Sequence, residues 1–209
     1  MFIMKDLGQS HFDVLKEIGN IGAGNAATAL SQLISQKIEM TVPNVSIMPF
    51  GSVSDILGGA EREVAGVYLR VFGDAPSKIV FLFSVQEAYS LVDMILHCPA
   101  GTTQEFGDFE QSALKEIGNI MTGAYLHALT KLTGLHQLSS VPSFACDMVG
   151  AIMNTALTDL GMIGDYALLI ETQFSLVERE INGHFFLVPD PGSLEIILGA
   201  LGVGSSCQK

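Results

Sequence analysis

Two short stretches of the chain pair a glutamate with an asparagine three residues later. They are Glu17 with Asn20 and Glu116 with Asn119. Each pair lies in its own copy of the heptapeptide Leu-Lys-Glu-Ile-Gly-Asn-Ile, which occurs twice in the chain. A carboxylate can pair with a lysine or arginine of another molecule, and an asparagine amide offers a hydrogen-bond donor and an acceptor together. Because the amide is too weak a base to remove a proton, the pair suits the positioning of a water molecule for in-line attack. Such positioning supplies much of the catalysis in phosphoryl transfer.

Both pairs are predicted to lie on the exposed face of a long amphipathic helix, whose opposite, apolar face packs inward. Each exposed face carries a small polar residue, a glutamate, an asparagine and a glycine at positions i, i+4, i+7 and i+11. These residues are Asp13, Glu17, Asn20 and Gly24 in the first copy and Ser112, Glu116, Asn119 and Gly123 in the second. Asparagine and glycine weaken a helix interior, so a merely solvated face has no need to repeat them. An exposed glycine is useful where the surface of another protein must approach closely.

The two heptapeptides are 99 residues apart, and Pro43 and Pro142 keep the same spacing. Self-similarity of this kind predicts a duplicated structural unit. We expect a single domain, residues 1–209, made of two homologous halves of about 1–104 and 105–209. The expected fold class is α+β, with pseudo-two-fold symmetry and one continuous, mostly antiparallel sheet. The long motif helices are expected on the outside of that sheet.

Within each half the hydrophobic periodicity predicts a long helix, a strand, a β-hairpin and a closing helix. Three details are specific to this sequence. Residues 37–49 are predicted as one strand, with Pro43 favouring an edge or a kink. Asn182-Gly183 is predicted as the turn of the second hairpin. A helix over residues 148–160 is predicted without an obvious counterpart in the first half.

The composition excludes several classes of protein. The net charge of −12 disfavours nucleic acid and anionic membrane surfaces as partners. No stretch is typical of a membrane span or a signal peptide, so a cytoplasmic location without membrane insertion is expected. Cys98, Cys146 and Cys207 are too far apart to indicate a zinc site or a disulfide framework. The five histidines show no ligand spacing, and the glycines of residues 19–24 fit neither common phosphate-binding motif.

The spacing of the motif residues resembles the signature of the CheC/CheX/FliY family of bacterial and archaeal chemotaxis phosphatases, and most closely its CheC type. In that signature Asp or Ser is followed by Glu, then Asn and, after twenty-two intervening residues, Pro; both copies match in full. The resemblance implies hydrolysis of the aspartyl phosphate of the response regulator CheY. It also implies that Mg²⁺ is bound in CheY and that this chain needs no cofactor. Glu17 and Glu116 would dock on the active-site lysine of CheY, while Asn20 and Asn119 would enter its active site and orient the water.

The resemblance implies further contacts. Asp13 and Ser112 would be peripheral to the CheY interface, and the two motif prolines would be structural. The receptor deamidase CheD would be a second partner, contacted through Asp147, although a single aspartate after a strand is otherwise an ordinary helix cap. An internally duplicated chain has less need to dimerise, so a monomer is expected. The alternative to an enzyme is a non-catalytic adaptor that binds CheY or CheD.

Overall fold

The computed structural model describes residues 9–49, 52–158, 166–176 and 179–202. Cys207 and the last two residues of the predicted helix 148–160 lie outside the described residues. In chain order the elements are α1 (Gln9–Ile34), β1 (Glu39–Thr41), β2 (Val45–Pro49), α2 (Val53–Ile56), β3 (Glu63–Gly73), β4 (Ser77–Ser84), α3 (Val85–Ile95), α4 (Asp108–Thr133), β5 (Gln137–Ser139), β6 (Ser143–Met148), α5 (Val149–Thr158), β7 (Tyr166–Leu176), β8 (Arg179–Pro189) and α6 (Ser193–Ala200).

The two halves repeat the same order of seven elements and share one antiparallel sheet. The strand order is β1-β7-β8-β4-β3-β5, with β2 also pairing with β7 and β6 also pairing with β3. The short strands of each half therefore pair with the hairpin of the other half. This exchange joins the halves through backbone hydrogen bonds, and it confirms the predicted continuous antiparallel sheet.

The pairing register shows the pseudo-two-fold symmetry residue by residue. In β2, Val45 lies opposite Ile170, and at the equivalent place in β6, Phe144 lies opposite Val67. The hairpins meet at the centre of the sheet, where β4 pairs with β8. The fold class predicted from the repeated heptapeptide is thus confirmed.

Helices cover both faces of the sheet. One face packs against α1, α3 and α4 through the main apolar core. The other face packs against α2 and α5 through a separate cluster that includes Val53, Val149 and Ile152. Alternating side chains of one strand reach opposite clusters, as Phe81 and Leu82 do in β4. Among the described residues, no helix is long and apolar enough to cross a membrane.

The prediction of one strand over residues 37–49 was wrong, because a bulge divides it. Thr41 pairs with Gln173 and Val45 pairs with Ile170, so three residues on one strand oppose two on the other. The extra residue bends the edge of the sheet at Pro43, which cannot donate a ladder hydrogen bond. The prediction that Pro43 favours an edge or a kink is therefore confirmed, since it lies in a bulge at the edge of the sheet.

The predicted turn at Asn182-Gly183 was also wrong. Both residues lie inside β8, opposite Gln173 and Thr172. A Cβ atom at Gly183 would overlap the ring of Phe83. The glycine is therefore needed for close packing between neighbouring strands rather than for a turn.

The helix predicted over 148–160 does have a counterpart in the first half. The short helix α2 occupies the same place in the element order as α5 and packs on the same face of the sheet. Its four residues are too few to give a helical period, so the hydrophobic pattern did not reveal it.

A buried carboxylate, Asp93, binds the segment that connects the two halves. Asp93, 1% exposed, accepts hydrogen bonds from the backbone N–H groups of Gly101, Thr102 and Thr103 at 2.7, 3.2 and 2.8 Å. Burial raises the pKa of this carboxyl, but the hydrogen bonds from Thr103, Gly101 and Thr102 outweigh it and hold the pKa below its ordinary value of 3.8. The ionised form is therefore stabilised in the folded protein.

We expect Asp93→Asn to lower the free energy of unfolding by about 2–4 kcal/mol at pH 7, because an amide cannot accept three hydrogen bonds equally well. A lowered folded-state pKa contributes stability that is fully present above the unfolded pKa and is lost as pH falls through the folded pKa. The difference between wild type and variant should therefore be constant at neutral pH and shrink below about pH 4. Urea unfolding of both proteins over this pH range measures the difference in the free energy of unfolding. The control is Asp55→Asn, at an exposed position.

Candidate functional site

The predicted motif faces are exposed on two unbroken helices, α1 and α4. All eight face residues are solvent-exposed: Asp13, Glu17, Asn20, Gly24, Ser112, Glu116, Asn119 and Gly123. On the opposite side of the helices, Leu15 and Leu114 are buried in the main core. The glutamate and asparagine of each copy are therefore within reach of another macromolecule.

Three other glycines of the motif helices, Gly19, Gly22 and Gly118, have packing roles that the sequence did not reveal. A Cβ at Gly22 would lie 2.5 Å from Cδ1 of Tyr125, so this glycine lets α1 and α4 approach closely. A Cβ at Gly19 would lie 3.3 Å from Cγ1 of Val42, and one at Gly118 would lie 2.6 Å from Cγ1 of Val67. Because these glycines are all part of continuous helices, residues 19–24 form no phosphate-binding loop.

Gly24 and Gly123 differ from the other helix glycines. Both are exposed, and a Cβ atom at either position would meet no atom within 4 Å. Neither glycine is required by the fold, although glycine in a helix interior costs about 1 kcal/mol relative to alanine.

The bulge at Pro43 holds the asparagine of the first copy. The Val42 backbone N–H donates to Oδ1 of Asn20 at 3.3 Å, and Nζ of Lys16 donates to the carbonyl oxygen of Pro43 at 3.0 Å. Lys16 and Asn20 are one helical turn apart, so both contact the same bulge. The proline spacing pointed to this loop, but the roles of Lys16 and Val42 depend on a contact more than twenty residues away and were missed.

The second copy has a different environment. Its bulge has the same register, yet Val141 is 85% exposed whereas its counterpart Val42 is 2% exposed. The two motif faces are therefore alike in their residue types but not in the loops beside them.

The chemistry available at these faces is that of outward-pointing carboxylates and amides. Among the described residues, neither Glu17 nor Glu116 makes a salt bridge, and no group of three His, Cys, Asp or Glu side chains is placed to hold a metal ion. An apolar cavity of about 40 Å³ lies beneath the helices, and the motif side chains do not line it. The faces are therefore suited to a macromolecular partner.

Asp147, the predicted CheD contact, lies near the end of β6 and is exposed. Its Oδ1 accepts the backbone N–H of the adjacent Met148 at 2.7 Å. A helix N-cap accepts from a residue two or three positions further along, so this hydrogen bond differs from an ordinary cap. Met148 is itself 48% exposed.

Comparison with known proteins gives a consistent result. The model of the CheC-like family matches residues 11–47 and 109–154, which contain both motifs. The chain is 35% identical over 206 residues to the CheY-P phosphatase CheC of Bacillus subtilis, covering 97% of this chain and 99% of the relative. It is 30% identical over 120 residues to the flagellar motor switch phosphatase FliY of the same organism, covering 57% of this chain and 31% of FliY.

The fold is also found in a solved structure. The crystal structure of Thermotoga maritima FliY superposes with a TM-score of 0.79 at 20% sequence identity, covering 94% of this chain and 98% of that one. The resemblance expected from the doubled Glu-Asn motif is thereby confirmed. With near full-length similarity to CheC and both motif helices inside the matched regions, the chain belongs to the CheC-like family.

Proposed function

We propose that this protein is a phosphatase that hydrolyses the aspartyl phosphate of the response regulator CheY. The observation that carries the proposal is that each Glu-Asn pair is exposed on one face of a long helix, the first pair on α1 and the second on α4. The near full-length relative named as a CheY-P phosphatase supports the same substrate. The test is loss of phosphate from phosphorylated CheY, measured with and without the purified protein.

In the proposed mechanism the glutamate of each face pairs with the active-site lysine of CheY, and the asparagine enters beside the phosphorylated aspartate. Residues three apart on a helix have Cβ atoms about 5–6 Å apart, so one partner site can receive both side chains. The amide orients a water molecule whose oxygen forms a bond to phosphorus as the bond between phosphorus and the aspartate oxygen breaks. The products are inorganic phosphate and the regenerated carboxylate, and the proton of the water passes to phosphate or solvent. The Mg²⁺ ion in this scheme belongs to CheY.

The adaptor alternative predicts binding to CheY or CheD without faster phosphate loss. Both asparagines are present and exposed, which favours the enzyme. Equal phosphate-loss rates with and without the protein, at concentrations where binding is saturated, would favour the adaptor.

Gly24 and Gly123 provide a test in which stability and activity change in opposite directions. We expect Gly24→Gln with Gly123→Gln to raise the unfolding free energy by about 0.5–1 kcal/mol per site, because glutamine is a better helix former. The same change should raise the KM for phosphorylated CheY about tenfold, since long side chains would hold the partner away. Thermal unfolding and steady-state kinetics measure the two effects.

The matched control is Gly199→Gln. Gly199 is also an exposed helix glycine where an added Cβ meets no atom within 4 Å, but it lies in α6. This variant should leave the KM unchanged. A stabilised Gly24/Gly123 variant with wild-type KM would mean that no partner approaches these faces.

We also propose that CheD binds at Asp147. Support comes from the exposure of Asp147 and Met148 at the end of an edge strand. Asp147→Lys should weaken CheD binding at least about tenfold, as reversing a charge at an interface does, and leave phosphate loss from CheY unchanged. Calorimetric titration with CheD measures this, with Asp55→Lys as control, and an unchanged Kd would exclude Asp147 from the interface.

A further inference from the structure

Two exposed apolar side chains lie in the second half: Phe109 in the motif helix α4, and Val141 in the loop between β5 and β6. Phe109 is 80% exposed and Val141 is 85% exposed, the largest fractions among the large apolar side chains of the described residues. Single exposed apolar residues are common on protein surfaces. The positions of these two, relative to one motif, distinguish them.

Phe109 lies on the same side of α4 as the motif. It precedes Glu116 by seven residues, which places it about 20° from Glu116 around the helix and about 10 Å away along the axis. It is in the first turn of α4, one to two turns before Ser112 and Glu116. The aromatic ring therefore extends the row formed by the motif residues.

Val141 lies in the loop between β5 and β6, two strands that both contact α4. In the first copy the equivalent residue, Val42, is buried, and its N–H contacts Asn20. The second bulge keeps the same pairing register, with Ser139 opposite Val71 and Ser143 opposite Tyr68, but the side chain of Val141 is exposed.

The first motif face has neither feature. The residue equivalent to Phe109, 99 positions earlier, is Ser10, and the residue equivalent to Val141 is the buried Val42. The apolar side chains are therefore specific to the second face. A copy of this chain is a poor occupant of the patch, because two molecules that each carry a net charge of −12 repel one another.

We infer that Phe109 and Val141 are apolar docking anchors for phosphorylated CheY at the second face; this inference rests on the proposed function. A standard interface buries about 800 Å² on each partner, a disc of roughly 16 Å radius. Phe109, about 10 Å from Glu116 along the helix, lies inside such a disc centred on the motif. Aromatic side chains, phenylalanine included, are enriched at protein interfaces, where they bury a large apolar area. The second face should accordingly have the lower KM.

The experiment isolates each face. Asn20→Ala leaves only the second face active, and Asn119→Ala leaves only the first. In the Asn20→Ala background, Phe109→Ser should raise the KM for phosphorylated CheY about tenfold with kcat unchanged, and Val141→Ser should raise it about threefold. In the Asn119→Ala background the same substitutions should leave the KM unchanged. Ser10→Phe introduces an aromatic side chain at the equivalent position of the first face. In the Asn119→Ala background this change should lower the KM for phosphorylated CheY.

An unchanged KM in the Asn20→Ala background, or an equal change in both backgrounds, would overturn the inference. A change in sedimentation behaviour without a change in KM would assign the patch to self-association and overturn it as well. Failure of the proposed function is distinguishable, because the wild-type protein would then not accelerate phosphate loss from CheY at all. In that event the Kd for CheY carrying beryllofluoride and Mg²⁺ still reports whether Phe109→Ser weakens docking.

Discussion

Replacement of both Asn20 and Asn119 by alanine should reduce the rate of phosphate loss from CheY at least about 100-fold, to the rate of CheY alone. Loss of a group that positions a reactant or stabilises the transition state typically costs this much. Both side chains are exposed, and the hydrogen bond that Asn20 accepts from the Val42 N–H is long, at 3.3 Å, so the fold should tolerate the change. Steady-state phosphate release, with circular dichroism to verify folding, measures the effect.

The control for this variant is Asn25→Ala. Asn25 is also exposed on α1 but lies outside the motif, so its replacement should leave kcat unchanged. The Kd for CheY should be nearly unaffected by the double asparagine change, since the glutamates still dock. A large loss of binding with kcat preserved at saturation would reassign the asparagines from catalysis to docking.

Replacement of both Glu17 and Glu116 by lysine should raise the KM for phosphorylated CheY by about 100-fold or more. In the proposed mechanism each substitution replaces an attractive charge with a repulsive one beside the lysine of CheY, and a like-charge contact at an interface costs several kcal/mol. Since neither glutamate makes a salt bridge among the described residues, little folding stability should be lost. The effect should weaken as salt concentration rises.

A charge-matched control separates docking from net charge. Glu61→Lys with Glu180→Lys changes the total charge equally at two exposed positions outside the motif faces. This control should alter the KM by no more than about twofold, through weak long-range effects. Equal effects of the two double variants would remove the glutamates from the interface.

Local pattern was sufficient to predict the parts of the structure that repeat at short range. The two motif helices, the exposed faces and the fold class follow from helical periodicity and from the copied heptapeptide. The positions of Glu17 and Asn20 could be predicted because helix geometry alone fixes which side they share.

Features that depend on distant residues could not be predicted. The strands of one half pair with the hairpin of the other, and no local signal specifies that exchange. Gly183 was predicted in a turn because Asn-Gly is a common turn pair. The ring of Phe83, which leaves no room for a Cβ at this position, belongs to the other hairpin. The support of Asn20 by Val42 and the contrasting exposure of Val141 likewise depend on how each bulge packs against its helix.

The most direct test is whether the two exposed motif faces catalyse hydrolysis of the aspartyl phosphate independently of each other. Four proteins are assayed in parallel. The turnover rate at saturating phosphorylated CheY should be recorded for wild type, for Asn20→Ala, for Asn119→Ala and for the combined variant. The rates of the two single variants are predicted to add up to that of wild type, with the combined variant no faster than CheY alone. A combined variant that turns over at the wild-type rate would contradict the account.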